Sequence, residues 1–207
     1  PEHSKMNLLI REFGHNYYRG RIVHRAARAT PPMSLSRLPY KTLQDLVGLH
    51  LSTSEDPSTA MLIKSLSAAR KRGYLTRPEL ITICKWKSAR AIRHIRCNRT
   101  TSIRNVTRAA FKTRSEQKKL NLLTSLPGVG IPMASAILTL TNPSRYGVID
   151  IRVWQVLFKM GAVTTNADGV GFDFKQWYRF LVIIRYFASE YRVKARDIER
   201  TLFDVHS

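Results

Sequence analysis

The sequence holds only two cysteines in 207 residues, Cys84 and Cys97. Two thiols cannot build a disulfide framework or a four-thiolate metal site, and the spacing between them fits no common zinc pattern. The six histidines are scattered and form no HxxxH or HxH pair. We therefore expect no zinc, no iron–sulfur cluster, no required cofactor and a reducing, intracellular setting.

Long apolar runs and acidic residues are also scarce. The longest apolar run, Phe180 to Ile184, stops at Arg185, so no segment is expected to span a membrane. Asp and Glu number 14 against 35 Lys and Arg, a formal charge of +21, while 43% of the residues are hydrophobic. A folded chain with this excess of positive charge favours a polyanionic partner, most often nucleic acid. The alternative to a nucleic-acid partner is that the positive charge serves only solubility or an association with the ribosome.

The positive charge is concentrated in residues 85–119, which hold twelve basic side chains and one acid, Glu116. Several of the cations fall three or four residues apart, so each group is predicted to line one side of a helix. Like charges stacked in this way repel unless an anion lies across them, which predicts contact with a phosphate backbone. A helix face that is merely solvated would normally carry acidic residues among the basic ones. The residues predicted to bind DNA backbone from this segment are Arg90, Arg93, Arg104 and Arg108.

The apolar spacing is helical almost throughout, and the predicted fold class is all-α. No alternating strand pattern is present. The predicted helices cover about 58–72, 76–86, 88–97, 99–113, 115–125, 131–141, 151–160, the stretch around 177–188, and 193–203.

A short turn, Leu126-Pro-Gly-Val-Gly130, lies between two of these helices. Its glycines allow a tight turn and leave the amides of Gly128, Val129 and Gly130 uncovered at a helix N-terminus. Such amides can bind one phosphate without reading the base sequence. Taken alone, the turn could equally be an ordinary helix–helix connection.

Asp150 lies twenty residues past Gly130, at the predicted start of the next helix in the string VIDIRVW. Hairpin and spaced aspartate together resemble the helix-hairpin-helix (HhH-GPD) DNA glycosylase superfamily, which includes endonuclease III and the adenine, 8-oxoguanine and alkylpurine glycosylases. The resemblance implies one unit over residues 1–207 with two helical lobes and the active-site groove between them. A basic lobe would cover about 45–125, residues 120–160 would hold the hairpin and the aspartate, and 1–44 with 161–207 would complete the second lobe.

The resemblance also implies a reaction, hydrolysis of the N-glycosidic bond of a damaged, mispaired or modified base in DNA. That bond breaks through an oxocarbenium-like sugar cation, which a carboxylate such as Asp150 stabilises while it orients the attacking water. The partner would be double-stranded DNA with the base flipped out, bound by a monomer in the cytoplasm, nucleoid or nucleus. Asp150 could instead serve only as a helix N-cap. The alternatives are then a non-catalytic DNA-binding or damage-sensing protein, or an RNA-binding basic protein.

Two departures from the family pattern matter. Members that also cleave the strand have a lysine in the string GVGxK, whereas Pro132 stands there in this chain. The enzyme is therefore expected to be monofunctional, with an amine from Lys85, Lys87 or Lys159 as the lesser alternative. The four cysteines that ligate an iron–sulfur cluster in some members are missing.

Further residues follow from the resemblance. The carbonyls of Thr124, Leu126 and Val129 would face a monovalent cation, K⁺ or Na⁺, that bridges to phosphate. Arg152 stands where many members have a backbone-contacting histidine, and an arginine is a competent phosphate donor there.

The base pocket is predicted from a different observation, a tryptophan that lies between two lysines. Trp86 could stack on a base while Lys87 holds phosphate, and the alternative is that Trp86 fills the core. Tyr17, Tyr18 and Tyr40 are further aromatic candidates without positional support. Trp154 is expected to pack in the core.

Overall fold

The computed structural model describes residues 40–206, and this part of the chain is all helical with no strand. The prediction of an all-α fold is confirmed for these residues. A 3-10 turn (Ala89–Ala91) lies between the third and fourth helices. The ten helices are α1 (Leu43–His50), α2 (Pro57–Arg72), α3 (Arg77–Lys87), α4 (Ile92–Arg96), α5 (Thr100–Lys112), α6 (Glu116–Thr124), α7 (Ile131–Thr141), α8 (Ile151–Lys159), α9 (Phe174–Glu190) and α10 (Ala195–Val205).

Local capping chemistry sets the start of α3, the helix that carries Trp86 and Lys87. The Thr76 hydroxyl accepts the N–H of Glu79, and the Glu79 carboxylate accepts the N–H of Thr76 in return. Two backbone donors at the helix start are thereby satisfied. The Leu75 N–H, just before this cap, donates to the buried Thr107 hydroxyl of α5 at 3.0 Å. The beginning of α3 is thus attached to α5, which fixes the direction in which the helix runs.

One helix prediction is wrong in part, and one helix was not predicted. The predicted helix over 88–97 begins with a 3-10 turn after the extended Ser88 (φ −167°, ψ 104°) and continues as the short α4. Its arginines therefore lie on a 3-10 turn and a five-residue helix and not on one regular α-helix. Helix α1 was not predicted at all, although Thr42 and Asp45 form a capping box at its start.

Helix α7 forms the centre of the packing. All of its residues from Met133 to Thr141 are buried, and α2, α3 and α6 pack against it. Helix α10 has a comparable place near the chain end, where α1, α8 and α9 pack against it. Trp154 is 1% exposed and its indole N–H donates to the Asn166 carbonyl at 2.8 Å, so its predicted place in the core is confirmed.

No helix within residues 40–206 is long and apolar enough to cross a membrane. These residues belong to a single compact unit that begins at Leu38. The predicted contribution of residues 1–44 to a second lobe lies almost entirely outside the described residues, as do Tyr17 and Tyr18.

Candidate active site

Asp150 is the N-cap of α8. Its backbone is extended, and its Oδ1 atom accepts the Arg152 N–H at 3.1 Å. The preceding residue, Ile149, donates its N–H to the buried Ser135 hydroxyl of α7 at 3.1 Å. Backbone contacts on both sides therefore hold the Asp150 carboxylate in one place.

The second carboxylate oxygen of Asp150 is paired with Lys87. The distance from Lys87 Nζ to Asp150 Oδ2 is 2.6 Å, and the two side chains are 17% and 23% exposed. Lys87 is the last residue of α3 and Asp150 precedes the first residue of α8, so the pair joins two helix ends that are 63 residues apart. Both groups are mostly buried yet remain accessible from one side.

An open cleft of about 420 Å³ lies beside this pair. Its volume falls in the range of small-molecule sites, roughly 300–1,000 Å³. Trp86 forms part of the wall and is half-buried, with its indole N–H donating to the Thr59 hydroxyl at 2.9 Å. The cleft is lined by Trp86, Lys87, Val148, Asp150, Arg152, Arg196, Glu199 and Phe203.

Buried charges from α10 complete the cleft. Arg196 donates to Glu55 through Nε at 2.9 Å and to Glu199 through Nη1, and its guanidinium lies 5.6 Å from the centre of the Trp86 ring. Glu199 is 2% exposed, and burial raises its pKa while the nearby Arg196 charge opposes that rise. Arg196 thus joins α10 to Glu55, just before α2, and lies against Trp86 of α3.

The pKa of the Asp150 carboxyl is shifted in the opposite direction, downwards. Burial would raise its pKa, but the hydrogen bond and charge of Lys87, followed by the Arg152 N–H, bring the pKa below its ordinary value of 3.8. Asp150 is therefore a carboxylate at neutral pH, the form that can stabilise a developing positive charge.

The hairpin before α7 is held by α4. The Val129 N–H donates to the Leu126 carbonyl at 2.9 Å and closes the turn, so the prediction that the Val129 amide is uncovered is wrong. The buried Asn98 side chain donates to the carbonyls of Ile95 and Pro127, both at 2.9 Å, and so links the end of α4 to the turn.

The two hairpin glycines have different roles. Gly128 has φ +83°, and a Cβ there would lie 2.9 Å from His94 Cβ and 3.0 Å from the Ile95 nitrogen. Gly130 has φ −81°, and the nearest atom to an added Cβ is 4.0 Å away. Only Gly128 is required by the turn, which corrects the expectation that both are. No side chain caps the α7 N-terminus at Gly130, so its first amides are left to other partners.

The predicted cation ligands, Thr124, Leu126 and Val129, line a shallow hollow of about 440 Å³ together with the rest of the turn. The Leu126 carbonyl already accepts the Val129 N–H, and a carbonyl has a second lone pair, so the three residues are compatible with a monovalent cation. No cluster of three or more His, Cys, Asp or Glu side chains suited to a metal lies within residues 40–206.

Hairpin and carboxylate lie near the same end of α7. Ser135, which accepts the Ile149 N–H, is the fifth residue of that helix and lies about 7 Å along its axis from the hairpin. Asp150 directly follows Ile149. Arg90 and Arg93 are exposed in the segment between Lys87 and the contact of α4 with Gly128. Arg152 is exposed beside Asp150 and its guanidinium packs 5.0 Å from the Phe203 ring.

Arg104 and Arg108 lie elsewhere. With Arg72 they surround the Tyr74 ring at 4.7–4.8 Å, just before the start of α3, whereas Lys87 is at its end, about 16 Å away along the axis. Arg108 also lines a second hollow, of about 510 Å³, at the opposite end of α7 beside Thr141. The four arginines of the basic segment that are predicted to bind DNA thus fall into two separate groups.

The structure brings several of the predicted site residues together, and other residues of the cleft and hairpin were not predicted. Asp150, Lys87, Trp86 and Arg152 share one cleft. Glu199, Arg196 and Asn98 were not predicted, because charged residues in an amphipathic helix and an asparagine after a short helix carry no sequence pattern that separates them from surface positions.

Comparison with known proteins adds nothing to this description, since no family model, no curated protein and no solved structure matches the chain.

The close approach of Gly128 to α4 predicts unequal effects of two alanine substitutions. Gly128→Ala should lower the free energy of unfolding by about 1–3 kcal/mol, because the new Cβ meets α4 backbone and the residue has positive φ. Gly130→Ala should cost less than about 1 kcal/mol, since its Cβ meets open space. Urea unfolding of both variants measures the difference, and equal losses would contradict this account of the turn.

The pairing of Asp150 with Lys87 predicts a pKa change that NMR can measure. In Lys87→Gln the burial of Asp150 persists without the ammonium, so the pKa of its carboxyl should rise from below 3.8 to above it. A depressed pKa stabilises the fold above the unfolded-state value, and this stability is lost on acidification. Once the pKa of Asp150 lies above that value, its contribution changes sign, so acidification should raise the stability of the variant through this group where it lowers that of the wild type. A ¹³C titration of the Asp150 carboxyl gives the pKa, and urea unfolding at several pH values gives the acid dependence, with the exposed Lys85→Gln as control for both; an unchanged pKa would contradict the assigned cause.

Proposed function

We propose that this protein is a DNA N-glycosylase that hydrolyses the bond between a damaged, mispaired or modified base and its deoxyribose. The observation that carries the proposal is the Asp150 carboxylate, ionised by its pairing with Lys87 and placed at the edge of an open cleft near the hairpin. The resemblance to the HhH-GPD superfamily supplies the reaction class.

The chemistry needs a negative charge close to the sugar. As the base leaves, positive charge develops on the sugar ring, and a carboxylate stabilises that charge best where water is partly excluded. Asp150 is mostly buried yet reachable, so it can face a sugar and hold a water for attack. The half-buried Trp86 offers a surface against which an extruded base could stack.

DNA binding would use groups at the same end of α7. The uncapped N-terminus of α7 suits one phosphate, and Arg90, Arg93 and Arg152 are exposed around the cleft and the hairpin. A cation on the hairpin carbonyls, where bound, would supply one further positive charge next to a phosphate.

The two-lobe arrangement is also part of the proposal. Helices α2 to α7 pack mainly on one another, while α1, α8 and α9 pack around α10. The cleft takes its lining from α3 on one side and from α8 and α10 on the other, which is where a groove between two lobes would lie.

Loss of the carboxylate should abolish excision without abolishing binding. Asp150→Asn keeps a side-chain oxygen for the N-cap, so the fold should persist while the charge is lost. Duplexes with single altered bases, treated with hot alkali after incubation, should show base release by the wild type and at least about a hundredfold less by the variant. Gel-shift titration provides the control for retained binding.

The rival functions give different results in the same assay. Excision that survives Asp150→Asn would overturn the assignment of this residue. Tight duplex binding without release of any altered base would favour a damage-sensing protein, and preference for structured RNA would favour an RNA-binding one.

The separation of the arginines predicts which of them contact DNA. Each phosphate contact contributes about −0.9 to the slope of log affinity against log salt. Arg90→Gln with Arg93→Gln should therefore make the slope shallower by about 2, whereas Arg104→Gln with Arg108→Gln, a change of equal charge around Tyr74, should alter it by less than about 1. Fluorescence anisotropy over a salt series measures both doubles. A larger change from the Tyr74 group would place the DNA on the other end of α7.

A further inference from the structure

The second hollow, at the end of α7 away from the hairpin, has a strongly basic lining. Its volume is about 510 Å³, within the range of small-molecule sites. Three different helices, α2, α5 and α6, supply the cations. Among the described residues, no acid lines this hollow. The five cations that line it are Arg70, Arg72, Arg108, Lys112 and Lys119.

Two acids outside the lining neutralise only part of this charge. Glu79 pairs with Arg72 at 2.6 Å. Glu116 lies 3.7 Å from Lys119 Nζ, but it is shared with Arg185, which it contacts at 2.8 Å. No acid within residues 40–206 forms a salt bridge with the other three cations of the lining, which are Arg70, Arg108 and Lys112.

Like charges are also crowded at the edge of the hollow. The guanidinium carbons of Arg72, Arg104 and Arg108 all lie 4.7–4.8 Å from the centre of the Tyr74 ring. Charges that share one ring in this way repel each other, and the aromatic face compensates the repulsion only in part. An anion bound beside them would lower this repulsion.

Lys119 provides a buried donor at the wall of the hollow. Its side chain is 10% exposed, and its Nζ donates to the Tyr146 hydroxyl at 2.9 Å. An ammonium group has three N–H donors. Tyr146 and Glu116 account for at most two of them, so one remains for a ligand in the hollow.

The distribution of the cations selects the ligand. A single phosphate can contact only some of five cations that three helices supply, whereas a chain of phosphates carries several charges over a longer distance. The rings of Phe111 and Tyr146 border the same space and suit an organic group attached to that chain. We propose that the second hollow binds an organic polyphosphate of the nucleoside triphosphate class. The proposal does not rest on the proposed function, because no residue that lines the cleft at Asp150 lines this hollow.

The protein would hold such a ligand through its cations and without a metal ion of its own. Mg²⁺ sites in proteins combine carboxylates with the phosphate oxygens of the substrate. The lining described above contains no carboxylate. We therefore expect the affinity for a nucleoside triphosphate to be at least as high in EDTA as in Mg²⁺.

Isothermal titration calorimetry of the full-length protein with ATP in EDTA tests the proposal directly. We expect one ATP to bind per chain. AMP, which has a single phosphate, should bind at least about tenfold more weakly, and adenosine, which has none, should not bind. The absence of ATP binding, equal affinities for ATP and AMP, or binding that requires Mg²⁺ would overturn the proposal.

Two exposed cations of the lining allow a comparison at equal charge. Arg70→Gln with Lys112→Gln should weaken ATP binding at least about tenfold, because two of the five cations are lost. Lys85→Gln with Lys159→Gln removes the same charge from exposed positions outside the hollow and should bind ATP as the wild type does. Equal losses in the two double variants would show that ATP responds only to net charge, which would overturn the site.

Amide resonances of the wild-type protein locate the ligand without any substitution. Addition of ATP should shift the amides of Gly73 and Asn142, which line the hollow, and leave that of Gly130 at the hairpin in place. A shift confined to Gly130 would overturn the proposal. A short undamaged duplex, added next, should leave the Gly73 shift unchanged. Reversal of that shift would assign the hollow to a nucleic-acid surface and overturn its assignment to a free nucleotide.

Discussion

The contact between Lys87 and Asp150 is the constraint on which the candidate site depends. A charge that is largely removed from water is costly unless an opposite charge is close, and removing one partner leaves the other buried and unpaired. At 2.6 Å and with less than a quarter of either side chain exposed, the two groups compensate each other. Because one terminates α3 and the other begins α8, their pairing fixes the two helix ends whose side chains form the opposite walls of the cleft.

The Lys87–Asp150 pair is the last contact in a series that leads from Lys87 through the hairpin and back to Lys87. From Lys87 the chain passes through a 3-10 turn into α4, whose backbone lies against Gly128 of the hairpin. The hairpin opens α7, the Ser135 hydroxyl of α7 accepts the Ile149 N–H, and the next residue is Asp150, back at the lysine. Each link is short and specific, so these contacts hold the hairpin and the carboxylate in fixed positions within one set of packed elements.

The sequence predicted those parts of the structure that depend on neighbouring residues. The bounds of α7 agree with the prediction because a glycine turn precedes a regular apolar repeat, and Asp150 caps α8 because aspartate favours that position. The interruption between the helices over 76–86 and 88–97 was predicted, but the extended Ser88 and the 3-10 turn that follows it were missed, since they follow from the chain's path after Lys87 and not from residue type. The lysine–aspartate pair and the burial of Glu199 were also missed, because contacts across 63 residues and between packed helices leave no periodic pattern.

Two acids of this basic chain, Glu116 and Glu55, each neutralise more than one cation. Glu116, the lone acid of the basic segment, contacts Lys119, Arg145 and Arg185, and Glu55 holds Arg196. The exposed arginines therefore keep their charge for an external anion. A polyanion at this surface would bring its own negative potential towards Asp150, which by itself would favour protonation of the carboxylate. The adjacent Lys87 ammonium would oppose that effect, so the cation fixed next to Asp150 would help the carboxylate to stay ionised beside a bound polyanion.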